Sequence, residues 1–193
     1  MARSLHLEKR GIRCLAIAES FKPDHLSSTL AGTVMRKDFV IDGFVFGHTV
    51  LSGDDATDVI LSMFERLCRN DISCILLSGL VISLYNIVDI KRLYDSLQIP
   101  IIGITCGNSK GLEQVLKDRF PTSYESKLAM YGKLGPQSRI SLHTFYDLFI
   151  RCMGCSISDA AHLLDDLTLQ GSLPEPVRVS QMLSRTILSE LSL

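Results

Sequence analysis

Four acidic residues stand at points where the chain changes pattern. Glu19 closes an apolar run (residues 13–18), Asp42 lies inside a Phe- and Val-rich stretch (residues 39–50), and Asp54 and Asp55 open a helical pattern. Carboxylates from separate strand ends can converge on Mg²⁺ or Mn²⁺, hard ions that take oxygen ligands. Two such ions can activate water and stabilise the leaving oxygen of a phosphodiester. The same residues also have ordinary uses. Asp54 and Asp55 suit a helix N-cap, Asp42 suits a solvent-facing edge strand, and Glu19 could pair with a lysine.

Other residue types offer weaker chemistry. Ser78, in LLSGLV, lacks the G-x-S-x-G surround of an activated nucleophile and reads as a turn residue. Asn108-Ser109-Lys110-Gly111 resembles an anion-cradling turn before a helix. Neither G-x-x-x-x-G-K-[ST] nor G-x-G-x-x-G after a strand is present, so a P-loop or dinucleotide site is not supported. Arg10 with Arg13, Arg36 with Lys37, and Lys91 with Arg92 form basic pairs that could hold phosphates if folding gathers them. Cys152 and Cys155 form one C-x-x-C, with His143 and His162 nine and seven residues away. A structural zinc site usually wants two such pairs, so reduced thiols are the better reading.

The elements that must position these residues follow from periodicity. Residues 13–18 read as a buried strand, and residues 29–35 and 39–50, separated by a charged turn, as an antiparallel hairpin. From residue 52 the pattern turns helical, with Val59, Ile60, Met63, Phe64 and Leu67 on one face. Residues 72–77 and 100–105 are continuous apolar strands, with a helix between them from Asn86–Asp89 onward that ends at Pro100. Short helices are expected over 111–120 and 126–135, and one more strand over 139–143. Ser158 would cap a helix carrying Leu163, Leu164 and Leu167. Pro174 and Pro176 would stiffen an extended connector, with Arg178 free to reach a neighbouring site, before a last helix through Met182 and Leu191. The order is β-β-β-α-β-α-β-α and then helices. Three antiparallel strands followed by parallel strands alternating with helices is the mixed α/β layout of the ribonuclease H-like fold.

Composition bounds the rest. The chain has 193 residues, one domain's worth at about 100–200 residues per domain. It reads as a single domain, 1–193, with residues 1–10 as a polar arm and 156–193 as a helical C-terminal extension. Hydrophobic residues at 46% and charged residues at 21% exclude wholesale disorder. Twenty Lys and Arg against 21 Asp and Glu give a net charge of −1, which excludes a generally basic binder but not a local basic groove. No apolar run reaches membrane-spanning length and no signal peptide is visible, so the expected place is the cytoplasm. The apolar last helix leaves room for a homodimer contact.

Long ordered blocks then carry a resemblance. KRGIRCLAIAESF, LAGTVMRKDFVIDGFVFG, SGDDATDVI, LLSGLVISLYNIVDI and LQGSLPEPVRVS together resemble the archaeal endonuclease dU family, over roughly residues 9–185. The family is ribonuclease H-like and related to endonuclease V. The resemblance implies a metal-dependent DNA endonuclease, with deoxyuridine or another modified base as substrate and Mg²⁺ or Mn²⁺ as cofactor. It puts the metal-binding acids at Glu19 and Asp55, with Asp42 or Asp54 as the third. Relatives with LDG would have Asp where this chain has Ser78. Ser is a weak ligand for Mg²⁺. Arg36 and Lys37, with Ser78 and Asn86, are the expected nucleic-acid contacts. The alternative that Ser78 raises is a non-catalytic nucleic-acid-binding or interaction module on the same fold. A third reading, an enzyme on a small phosphorylated or nucleotide substrate, would use the Asn108–Gly111 turn.

Overall fold

Alternation of side chains along the strands sorts the core into two layers. The computed structural model describes residue 5 and residues 11–107 and 112–190. The expected arm and the Asn108–Gly111 turn therefore lie outside the described residues, apart from residue 5. Strand β1 (Arg13–Ser20) runs antiparallel to β2 (Ser27–Arg36), which pairs antiparallel with β3 (Ile41–Val50). Helix α1 (Ala56–Arg66) leads to β4 (Ile72–Ser78), parallel to β1. A two-residue pair, β5 (Val81–Ile82) and β6 (Asn86–Ile87), makes a small hairpin before α2 (Ile90–Leu97). Strand β7 (Ile101–Thr105) is parallel to β4.

Helices α3 (Leu112–Arg119) and α4 (Tyr124–Lys133) follow. A second hairpin, β8 (Ser138–Ser141) and β9 (Asp147–Met153), closes the sheet, with β9 antiparallel to β7. The chain ends its described part with α5 (Ile157–Asp166) and α6 (Glu175–Glu190). The seven-stranded order is β3-β2-β1-β4-β7-β9-β8. This is the expected mixed α/β sheet, three antiparallel strands first.

Period two puts Leu15, Ile17, Ile75 and Leu77 on one face, packed with Ile60 and Met63 of α1 and Leu93 of α2. Cys14, Ala16, Cys74 and Leu76 face the other way, onto Leu163 and Leu164 of α5 and Val177 of α6. Helix α6 lies across β1 and β2, where buried Ser180 donates its hydroxyl to the Ala16 carbonyl.

Four local expectations need correction. Strand β9 is the clearest omission: only Leu148 and Ile150 are buried in it, and Asp147 and Arg151 break the apolar run that would have announced it. The cap of α5 is Ser156, whose hydroxyl accepts from the Asp159 N–H, not Ser158. Pro176 is helical rather than extended. It occupies the first turn of α6, where a missing N–H costs nothing because that donor has no intrahelical partner. Arg178 is accordingly one turn into the helix and grips both oxygens of Glu175.

Candidate functional site

The carboxyl ends of β1, β4 and β7 place Glu19, Ser78 and Thr105 along one edge of the sheet, where open α/β sheets bind ligands. The small β5–β6 hairpin folds over this edge. A cleft of about 330 Å³ opens between them, lined by Glu19, Phe21, Leu84, Tyr85, Thr105 and Arg151 among others.

Glu19 is held by the hairpin. Its two carboxylate oxygens accept from the Ser83 backbone N–H at 2.8 and 2.9 Å, and Oε2 also accepts the Ser83 hydroxyl at 2.6 Å. That leaves Ser28, 2.6 Å from the Ser83 oxygen, as the donor to it. The grip requires unusual backbone. Ser83, Leu84 and Tyr85 all have left-handed φ values of 48°, 55° and 76°. Each costs about 1–2 kcal/mol for a non-glycine residue. The hydrogen bonds of Ser83 N–H to Glu19, Ser52 N–H to Ser83 O and Lys127 Nζ to Tyr85 O hold the turn in place.

Asp55 stands at the N-cap position of α1, but its side chain turns away from the helix. It accepts from the Thr49 hydroxyl, the Val50 N–H and the Asn86 amide. Burial works against the charged form, and these hydrogen bonds outweigh it, so the Asp55 carboxyl is held below the usual range. Asn86 takes over the capping: its Oδ1 accepts from the Ala56 N–H. With Nδ2 donating to Thr49, Val50 and Asp55, this fully buried amide is a clip between β3, α1 and β6.

Asp54 points elsewhere. It pairs at 2.7 Å with Lys127 of α4, whose side chain is 2% exposed. Lys127 also donates to the carbonyls of Gly53 and Tyr85 and lies 4.7 Å from the Phe120 ring centroid. The ammonium thus ties α4 to the β5–β6 turn and to the loop before α1.

Three other expected residues, Asp42, Arg36 and Lys37, lie at the far end of the sheet. Arg13 starts β1 and Glu19 nearly ends it, so their ends are separated by about 20 Å at 3.3 Å per residue. Asp42 pairs with Arg13 and Arg69 at the Arg13 end, which removes it from any set with Glu19. Arg36 is the register partner of Arg13 and pairs with Asp38, while Lys37 pairs with Asp166. Neither lines the cleft.

Ser78 adjoins the cleft edge but not the Glu19 face. Leu77 shares the face of Ile17, so Glu19 projects with them, and Ser78 projects with Leu76 and Ala16. There the Ser78 hydroxyl accepts from the Gln181 amide of α6 at 3.0 Å. Extending the β1–β4 register by one residue brings Ala18 beside Ser78, so the neighbour on that face carries no carboxylate.

Residue typing missed Ser83, Thr49, Lys127 and Arg151. Single Ser, Thr, Lys and Arg residues in variable surroundings carry no spacing signal. They become visible only through what they touch. Arg151 of β9 donates to the Gly135 carbonyl and lies 5.9 Å from the Tyr131 ring centroid, while Arg119 lies 5.6 Å from that of Tyr85. These two cations flank the cleft.

A family model described as endonuclease dU matches residues 10–188. The chain belongs to the endonuclease dU family. A UPF0215 protein of Pyrobaculum calidifontis is 31% identical over 92% of this chain and 98% of its own. One from Archaeoglobus fulgidus is 30% identical over 91% of this chain and 93% of its own. Among solved structures, a protein of unknown function from Archaeoglobus fulgidus superposes with a TM-score of 0.80 at 28% identity, covering 92% of this chain and 98% of that one. Human ENDOV gives a TM-score of 0.64 at 14% identity, with 95% and 87% covered. Endonuclease V of Ciona intestinalis, in complex with a 23mer DNA containing an inosine, gives 0.63 at 14%, with 94% and 87% covered. The fold is therefore the ribonuclease H-like fold of endonuclease V.

The divalent ion that the family implies can be tested against the donors present. Glu19 and Asp55 are each satisfied by protein hydrogen bonds, Asp54 is paired with an ammonium, and Ser78 supplies only a hydroxyl on the opposite face. Among the described residues, no three His, Cys, Asp or Glu side chains gather to hold a metal ion. The donor set does not fit an endonuclease-type metal centre. Among the described residues, no helix is long and apolar enough to cross a membrane.

Proposed function

We propose that this member of the endonuclease dU family is a nucleic-acid-binding module that engages DNA along the β1–β4–β7 edge without metal-dependent cleavage. The observation that carries the reading is the divergence of Glu19 and Ser78 to opposite faces, with Ala18 beside Ser78. Two-metal hydrolysis needs carboxylates converging on one point, and these strand ends supply none that converge. The cleft between Arg119 and Arg151, with Phe21 and Tyr85 in or beside it, offers what a backbone-tracking, base-stacking surface needs: cations and rings. The DNA-bound endonuclease V from Ciona supports DNA as the ligand class.

The family description favours a second reading, a metal-dependent endonuclease acting at deoxyuridine or another modified base. One experiment separates the two. End-labelled DNA carrying a deoxyuridine, a deoxyinosine or neither is incubated with the protein in Mg²⁺, Mn²⁺ or chelator, beside Glu19→Ala, and binding is followed across salt. The binding module retains DNA in chelator, loses affinity as salt rises, and cuts nothing. Metal-dependent cutting near the lesion that disappears in Glu19→Ala would establish the nuclease instead. Affinity that is flat across salt would remove the module.

A further inference from the structure

Strand β3 stands at one edge of the sheet and keeps an uncovered apolar face. Its register against β2 sets that face. Ile41, Phe44, Phe46, His48 and Val50 lie opposite Met35, Thr33, Ala31, Thr29 and Ser27, and directly opposite residues share a face. Thr33 bonds Ser180 of α6, so this is the α6 side of the sheet. Helix α6 packs across β1 and β2 and leaves the β3 side chains open. Ile41, Phe44, Phe46 and Val50 are between 38% and 54% exposed.

The helix supplies a wall beside this floor. Ser180 and Ser184 form its buried row, and Val177 and Gln181 turn toward α5 and β4, where Gln181 reaches Ser78. At about 100° per residue, Val179, Leu183 and Ile187 fall on the other flank, toward β3. All three are half-buried. Floor and wall make an apolar trough.

Three observations choose its occupant. First, the free edge of β3 is capped, so an added strand is blocked there and the face is what remains to bind. Val50 N–H donates to Asp55, and the carbonyls of Phe46 and Asp42 accept from Arg66 and Arg69. Second, the strand is symmetric in sequence. Val40-x-x-Gly43-Phe44-Val45-Phe46-Gly47-x-x-Val50 reads the same in both directions about Val45. A two-fold axis there lays Phe44 of one copy over Phe46 of the other, twice. Third, the exposed fractions leave about 500–600 Å² per copy, hence about 1,000–1,200 Å² in a pair, which is the lower end of a specific interface. None of the five β3 residues on this face is Lys, Arg, Asp or Glu, as suits the core of a contact between identical chains.

We propose that this trough is the interface of a reversible two-fold homodimer, in which the β3 strands of two copies pack face to face and antiparallel. The test is sedimentation velocity on the full chain from about 1 to 500 μM, the range in which so small an interface associates. The expected result is a concentration-dependent shift from monomer to dimer. Phe44→Lys and Phe46→Glu, taken singly, should each weaken dimerisation at least about tenfold, with the dilute variants still folded by circular dichroism. Mixed one to one, the two variants should pair again, because position 44 of one copy then meets position 46 of the other with opposite charge. Phe145→Gly, which removes the exposed ring at the β8–β9 turn, should leave association unchanged. A chain that stays monomeric throughout, a dimer indifferent to both β3 substitutions, rescue of Phe44→Lys by Phe44→Glu but not by Phe46→Glu, or a dimer lost in Phe145→Gly would each overturn the proposal.

Discussion

At the scale of single residues, the chemistry at the cleft edge is spent on holding structure. Asp55 shows this through pH. Its carboxyl is held below the ordinary range by Thr49, Asn86 and Val50 against the cost of burial. A depressed carboxylate contributes stability that is present above its unfolded pKa, about 3.9, and is lost as pH falls through the lower folded value. Asp55→Asn should therefore flatten the acid limb of stability below about pH 4, measured by denaturant unfolding at stepped pH. Wild-type and variant curves that stay parallel would show that the carboxylate is not linked to folding. Lys127 is the other case. Truncating a buried ammonium that has three oxygen acceptors leaves the carbonyls of Gly53 and Tyr85 unsatisfied. Lys127→Ala should cost about 3 kcal/mol, read as a fall in the urea midpoint at unchanged m-value.

Elements carry strain of two different kinds. The β5–β6 turn places three consecutive non-glycine residues at positive φ and is repaid by its grip on Glu19. The β8–β9 turn has no such compensation at its tip. Phe145 has φ 65° and is 98% exposed, so its ring contributes no packing. Phe145→Gly should raise stability by about 0.5–1 kcal/mol, since the residue relieves a left-handed backbone and loses no contact. Thermal unfolding would register this as a rise of about 2 °C in Tm for a chain of this size. A fall in Tm would mean that the exposed ring packs against something in solution.

For the molecule as a whole, binding should follow electrostatics at one edge of the sheet. The net charge of −1 gives no general attraction to nucleic acid, so affinity must come from the few cations flanking the cleft. Arg151→Ala should weaken DNA binding uniformly across sequences and reduce the slope of log K against log salt by about one. Arg36→Ala and Lys37→Ala, at the opposite end of the sheet, should leave that slope unchanged. An equal effect from both ends would mean that DNA does not lie along the β1–β4–β7 edge.

Much of this molecule is determined locally and is legible residue by residue. Hydrophobic periodicity places β1 through β4, α1, α2 and β7, because burial on one or both faces dictates apolar spacing. The mixed sheet with three antiparallel strands first follows from their order. Strand β9 escapes because Asp147 and Arg151 interrupt its apolar residues and its pairing with β7 is a long-range event. The candidate site divides in the same way. Glu19 and Asp55 could be found as acids at element ends, and both lie at the edge that binds ligands in open sheets. Which acids meet was decided only by register and direction. Asp42 is drawn to Arg13 and Arg69 at the far end of the strands, Asp54 to a lysine 73 residues away. Strand alternation sends Glu19 and Ser78 to opposite faces, and the turn at Ser83 closes over Glu19. A sequence specifies which residues carry charge, but convergence of charges is a property of distance, and distance is set when the sheet assembles.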